Sequence, residues 1–407
     1  MLERRNHGLY HERGGNFQVF RAICVKKTVN PTNMRIYLDH NATSPLRPSV
    51  KEALINRLGA PLNPSSVHQE GRQGRKVIEA AREKVAALVG ADPKAVVFTS
   101  GGTEANNMAL SPRVQFGSEV RVFSALFVSA VEHPCILAGG RFSKEQIKHL
   151  PVDENGIVDL EKAAALLADI EAPFVSVMLA NNETGVTQPI EALTKIVHGQ
   201  GGFLHVDAVQ AAGKIPIDIF ELEADSMTVS AHKIGGPQGV GALIRRQVGV
   251  GIPALMTGGG QELGYRGGTE NVAGIEGFGV AAEEALAQLS ADNALQNQLE
   301  SGLKALSNEI VIFAEDAPRL PNTTCFSLPN KRAETAVISY DMAGIAVSSG
   351  SACSSGKVGA SHVLEAMGVP QEQAAGAIRV STGWDSEAAD IEGFIAATAK
   401  LLGQQTA

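Results

Sequence analysis

From Met34 onward the chain alternates short apolar, β-branched runs with longer stretches in which apolar positions recur every three to four residues. The runs "AVVFTS" (95–100), "FVSVMLA" (174–180), "GGFLHVDAVQ" (201–210), "DSMTVSAHK" (225–233) and "VGALIRR" (240–246) are apolar at most positions. That is the pattern of strands covered on both faces. "RQGRKVIEAAREKVAALVG" (72–90) has the helical repeat instead. Strand, helix, strand at this spacing predicts a mostly parallel α/β sheet with helices on both faces. "AAEEALAQLSADNALQNQLESGLKALSNEI" (281–310) reads as one long helix with few breakers. Beyond it "NTTCFSLP", a further helix, "GIAVSSGSACSSG" and "GAIRVSTG" predict a smaller α+β domain. The expected division is an extension over 1–33, a large domain over 48–290, and a small domain built from 34–47 together with 291–407.

Composition narrows the choice of partner. A net charge of −8 over 407 residues argues against a dedicated nucleic-acid binder, which needs a basic face. No apolar run approaches the length of a membrane-spanning helix. The four cysteines, Cys24, Cys135, Cys325 and Cys353, are scattered without a CxxC pair. That spacing supports neither a disulfide framework nor a metal knuckle, and it fits a reducing cytoplasm. Residues 1–33 are basic and aperiodic and lack the apolar core of a secretory signal, so they read as a disordered extension or a misplaced start, with a targeting segment as the lesser alternative.

Ligands of open α/β sheets bind at the carboxyl ends of the strands, so the polar residues that close each apolar run carry the chemistry. "AVVFTSGGTEANN" runs strand, glycine turn, helix, leaving the amides of Gly102 and Thr103 at a helix start where a phosphate would sit. "LHVDAVQ" ends a strand in Asp207, with Gln210 three residues on; a buried carboxylate there needs donors or a cation. "SMTVSAHK" brings Ser230, His232 and Lys233 to another strand end, where burial lowers a lysine's pKa and favours imine formation. Each feature alone is equally well read as a capped turn, a capping Asp or a surface lysine. An anion cradle, an acid for a pyridinium nitrogen and a condensing amine are, jointly, the parts of a pyridoxal 5′-phosphate site.

At these residues the sequence resembles the NifS/IscS-type cysteine desulfurases of the class V aminotransferase family, which are fold-type I pyridoxal-phosphate enzymes. The resemblance runs through "YLDHNAT", "NPSSVHQEGR", "FTSGGTEANN", "VEHPCIL", "NNETGVTQPI", "HVDAVQAAGKIPID", "SAHKIGGPQGVGAL", "GGGQELGYRGGTENV", "SSGSACSSG" and "AIRVSTG". It implies that Lys233 holds the cofactor covalently, His133 lies over its ring, and Asp207 pairs with the ring nitrogen. Gln210 and Asn182 would approach the phenolic oxygen or the substrate. Gly102, Thr103, Ser230 and His232 would contact the phosphate, with Thr269 supplied by the second subunit of a homodimer. Arg379 would grip the α-carboxylate of L-cysteine from the start of a strand. Cys353, in a glycine- and serine-rich segment, would take the sulfur as a persulfide, leave L-alanine, and pass the sulfur to an acceptor or scaffold protein for iron–sulfur or nitrogenase cluster assembly. Other class V activities, such as an aminotransferase or a selenocysteine lyase, and a non-catalytic sulfur-relay scaffold stay open as alternatives. The thiol of "SGSAC" and the retained Lys233 count against them.

Overall fold

The computed structural model describes residues 35–290, 292–350 and 361–404. Its centre is a seven-stranded sheet in the order Val96–Thr99, Gly241–Arg245, Ser226–Ser230, Phe203–Asp207, Phe174–Met178, Leu126–Ser129, Ile147–Leu150. Six strands run the same way, and Gly241–Arg245 alone is antiparallel to its two neighbours. The strands Phe174–Met178, Phe203–Asp207, Ser226–Ser230 and Gly241–Arg245 are buried at every position. Continuous apolar sequence is what a sheet sandwiched between helix layers requires. One layer includes Gln69–Ala87 and Val272–Ala287, packed against each other and on the core that holds Val96, Val206 and Val229. On the other face Gly102–Ala109 lies over a cluster containing Phe123, Phe174 and Phe203, whose rings meet edge-on or tilted at 5.0–6.0 Å.

A second, antiparallel sheet runs Val311–Ile312, Thr323–Ser327, Ala377–Ser381, Ser348–Ser349. The segment entering the fold is tied to this part of the molecule: Ile36–Tyr37 pairs in parallel with Ile345–Ala346, and Asp39 bridges to Ser381. Chain ends far apart in sequence thus meet beside the first sheet's carboxyl edge, where Lys233 reaches Asn41.

One expectation fails. The helix anticipated across 281–310 is two helices, Val272–Ala287 and Ala294–Leu306. "SADN" breaks it by offering the backbone local partners: Ser290 Oγ accepts from the Asp292 amide at 3.0 Å, and Asp292 Oδ1 from the Ala294 amide at 2.9 Å. Short polar side chains that bond nearby amides compete with helix continuation.

Candidate active site

The strand register delivers the polar residues to one edge. Asp207 lies beside Met178 and Thr228, and Gly241 lies beside both Ser230 and Thr99. These strand ends open a cavity with about 660 Å³ of space, mouth included. Gly102, Thr103, His133, Asn182, Asp207, Gln210, Ser230, His232 and Lys233 all line it. Thr269 does not; it is exposed on its own chain. Cys353 lies outside the described residues.

At the helix end the backbone is bare by necessity. A Cβ on Gly102 would come within 2.9 Å of Val209 Cγ2, and one on Gly241 within 2.6 Å of the Gly101 carbonyl carbon. Glycine at both positions lets the strand ends close under the amides of the Gly102–Ala109 helix. Ser230 Oγ is buried there with no hydrogen-bond partner among the described residues. Burial, then the Lys233 charge, pushes the His232 imidazole down to about 4, so it is neutral at pH 7. Glu104 fixes the helix start from below, accepting from the Ser100 amide at 2.8 Å and from Arg266 Nε at 3.0 Å. Burial alone would raise that carboxyl, and the donors of Arg266 and Ser100 pull it below the usual carboxylate range.

Asp207 closes the floor. Its Oδ1 accepts from the Val209 amide at 2.9 Å and its Oδ2 from Asn106 Nδ2 at 2.7 Å. Burial raises its carboxyl, with the Val209 amide and then the nearby His133 acting in the opposite direction. His133 caps the short helix Pro134–Leu137 by accepting from the Cys135 amide at 3.2 Å. Burial lowers its imidazole pKa. Cys135 also lines the cavity, but burial and then the Asp207 charge push its thiol up to about 12, which leaves it an unreactive thiol at neutral pH.

Lys233 follows Ser230 in a single 3₁₀ turn, and its Nζ donates to the carbonyls of Asn41 at 2.5 Å and Ala42 at 2.9 Å. Asn41 O also accepts from Gln210 Nε2 at 3.0 Å. A second lysine holds this cluster: Lys214 Nζ donates to Asn41 Oδ1 at 2.8 Å and Gln210 Oε1 at 3.0 Å. Its pKa is driven well down by burial first, then by the charges of Lys233 and Arg379.

Arg379 departs from its expected placement. It is the third residue of Ala377–Ser381 rather than its first, it is 1% exposed, and it is not among the residues lining the cavity. It touches that lining through Asn182, whose carbonyl accepts from Nη1 at 2.8 Å, while Nη2 binds Asp39 Oδ1 at 2.7 Å. Asp39 Oδ2 in turn accepts from Ser348 Oγ at 2.9 Å. Sequence reading missed Asn41, Lys214, Asn106, His205 and Asp39. Only His205 had a local signal, since it precedes Asp207 by two and therefore shares its face of the strand.

A lysine, an anion-ready helix end and a buried carboxylate around one cavity can bind a phosphorylated aromatic aldehyde, and the comparisons with known proteins agree in kind. The sequence model of the aminotransferase class-V family matches residues 36–394. A cysteine desulfurase of Cereibacter sphaeroides is 41% identical over 377 residues, 91% of this chain and 96% of that protein. The cysteine desulfurase IscS of Dictyoglomus turgidum is 40% identical over 356 residues, 86% of this chain and 89% of its own. Among solved structures, a NifS-like protein from Rickettsia africae superposes with a TM-score of 0.82 at 38% identity, covering 91% of this chain and 100% of that one. With the family's pattern spanning nearly the whole described fold, the chain belongs to the class-V aminotransferases and groups there with the cysteine desulfurases.

Proposed function

We propose that this chain is a pyridoxal-phosphate-dependent L-cysteine desulfurase that releases L-alanine and holds the sulfur as a persulfide on Cys353 for delivery to an acceptor protein, in iron–sulfur or nitrogenase cluster assembly. The observation that carries the reading is the cavity itself, where Lys233 and Asp207 share a lining with the Gly102 helix end and the orphan hydroxyl of Ser230. The donor set fits the cofactor. Ser230 Oγ and the helix amides suit a phosphate, and Asp207, hydrogen-bonded by neutral donors, suits a protonated ring nitrogen. When bound, pyridoxal phosphate supplies an electron sink for carbanion chemistry at Cα.

The chain's residues do the rest. Lys233 anchors the cofactor and moves the Cα proton. His133 covers the ring, and Arg379 orients the substrate carboxylate through the Asn182 side of the site. Cys353 attacks the substrate sulfur as thiolate: its S–S bond forms, the substrate C–S bond breaks, and the carbon keeps the electron pair and takes up a proton to become alanine. Thr269, exposed and off the cavity lining, fits a phosphate contact made across a homodimer. Among the described residues no helix is long and apolar enough to span a membrane, and a cytoplasmic location is part of the proposal.

The test is product analysis on the purified holoenzyme. L-Cysteine should yield alanine and sulfide in equal amounts when a thiol reductant is present; keto acid in place of alanine would favour an aminotransferase and contradict the reading. Borohydride should fix the cofactor to the Lys233 peptide, and Lys233→Ala should abolish that linkage. Attachment persisting in the variant would move the anchor elsewhere.

A further inference from the structure

Behind Asp207 runs a line of buried polar groups that the proposed chemistry does not use. His205 is 0% exposed and Asn106 1% exposed. His205 Nε2 lies 3.0 Å from Asn106 Oδ1, and its Nδ1 lies 2.8 Å from Ser226 Oγ. Asn106 Nδ2 then reaches Asp207 Oδ2 at 2.7 Å. The register explains how these groups meet: Ser226 is the neighbour of His205 on the adjacent strand, and Asn106 comes down from the Gly102–Ala109 helix over the same face.

With Asp207 ionised, the chemistry sets the direction of these bonds, Thr228 Oγ1 being a further neighbour of His205 Nε2 at 3.4 Å. An ionised carboxylate only accepts, so Asn106 must turn its amide nitrogen to Asp207 and its oxygen to His205. That oxygen only accepts, so His205 carries its proton on Nε2, which leaves Nδ1 to accept from the Ser226 hydroxyl. Burial lowers the imidazole to about 3, so the ring is neutral at physiological pH. Were Asp207 protonated instead, Asn106 would donate to an uncharged oxygen, a weaker acceptor than a carboxylate, so the contact favours the ionised form.

We infer that Ser226, His205 and Asn106 form a one-way hydrogen-bond relay that keeps Asp207 ionised inside the protein, ready for a cationic ring nitrogen. The three act through Asp207 as positioning residues; His205 and Ser226 lie off the cavity lining, and Asn106 reaches it. A buried carboxylate with few donors would otherwise take up a proton, and a neutral acid has much less affinity for a pyridinium. The inference rests on the reading that the cavity binds pyridoxal phosphate with its ring nitrogen at Asp207.

The experiment compares two cofactors on the apoprotein: pyridoxal 5′-phosphate and 1-deazapyridoxal 5′-phosphate, in which carbon replaces the ring nitrogen. The quantity is the ratio of their dissociation constants, in which general damage to the pocket cancels. Wild type should prefer the natural cofactor. Asn106→Ala and His205→Leu should cut that preference by about tenfold, the scale of a lost hydrogen bond to a charged group. His205→Gln, whose amide can still donate to Asn106, should retain most of it. Preferences within twofold of wild type in both truncations overturn the relay. Should those two variants not fold, Ser226→Ala, which deletes one hydroxyl, decides: a preference reduced more than twofold supports the relay, and an unchanged one overturns it. A wild type that binds both compounds equally well overturns the placement of the ring nitrogen, and the relay with it; a wild-type preference that every variant keeps overturns the relay alone.

Discussion

Asp207 and Arg379 are both withdrawn from water, yet Arg379 already meets a carboxylate, Asp39 at 2.7 Å, whereas the hydrogen bonds to Asp207 come from two neutral N–H groups. The arginine's charge is largely balanced before any ligand arrives. On the proposed function, what it keeps for a substrate carboxylate is geometry and the Nε edge, which is buried without a partner among the described residues. The hydrogen bonds to the aspartate come from uncharged groups, so a carboxylate there is left to attract a cation. One pole is built to orient and the other to attract, and substitutions at the two should differ in size and in which constant they move.

The largest effect belongs to the attracting pole. Asp207→Asn keeps the shape and removes the charge, so cofactor affinity and turnover should each fall by about 10²- to 10³-fold, the scale of breaking a buried ion pair. Cofactor titration of the apoprotein reads this directly, and a loss under threefold would mean that no cation sits at Asp207. Next is Arg379→Lys, which retains charge and loses the planar fork. We expect kcat/KM for L-cysteine to drop by roughly 10- to 100-fold with cofactor absorbance unchanged. Steady-state values within twofold of wild type would assign the carboxylate to another residue. Asp39→Asn sharpens the contrast from the other side: it removes the charge that competes for Arg379, so KM should fall by about two- to fivefold at nearly constant kcat. A raised KM would show that Asp39 serves to hold the guanidinium in place.

The smallest effect concerns a third carboxyl on the same sheet edge, in stability rather than activity. Glu132 is fully buried, bonded at Oε1 by Ser129 and the Met178 amide, with Oε2 unpartnered. Burial pushes it up to about 8, and Glu183, also buried, is pushed up to about 7. An acid whose pKa is higher folded than unfolded binds more protons when folded, so stability is greatest below the ordinary carboxyl range and declines as pH rises toward 8. Glu132→Gln should flatten part of that decline in the apoprotein, with Glu183 supplying the remainder. Urea midpoints at pH 5.5 and pH 8 for both proteins measure it; parallel slopes would contradict a buried neutral Glu132.

How much of this was legible in the sequence follows from the range of each interaction. The buried strands and the residues that end them could be read locally, because a continuous apolar run and the polar residue that closes it are neighbours in the chain. The break at "SADN" was also local and was overlooked, since helical periodicity on both sides outweighed two side-chain-to-amide bonds. The partner of Arg379 was not legible: Asp39 lies 340 residues away and meets it only because the entering segment crosses to the second sheet. Lys214 carried no signal either, since nothing in "AAGK" announces that its amine will be held by Asn41 and Gln210. His205 and Asn106 needed the strand face and the helix face together. Cys353 and the residues before Arg35 lie outside the described part of the chain, and the division into a large and a small domain remains a sequence-based proposal.

The claim that the chain moves sulfur from L-cysteine onto its own thiol is tested most directly by alkylating the holoenzyme after a single exposure to L-cysteine and mapping the modified peptides by mass spectrometry. The account predicts an alkylated persulfide on the peptide bearing Cys353. It also predicts that Cys353→Ser binds the cofactor normally while releasing neither alanine nor sulfide above background. A variant that turns over L-cysteine as fast as wild type in the presence of reductant, or a persulfide found on Cys135 instead, would contradict it.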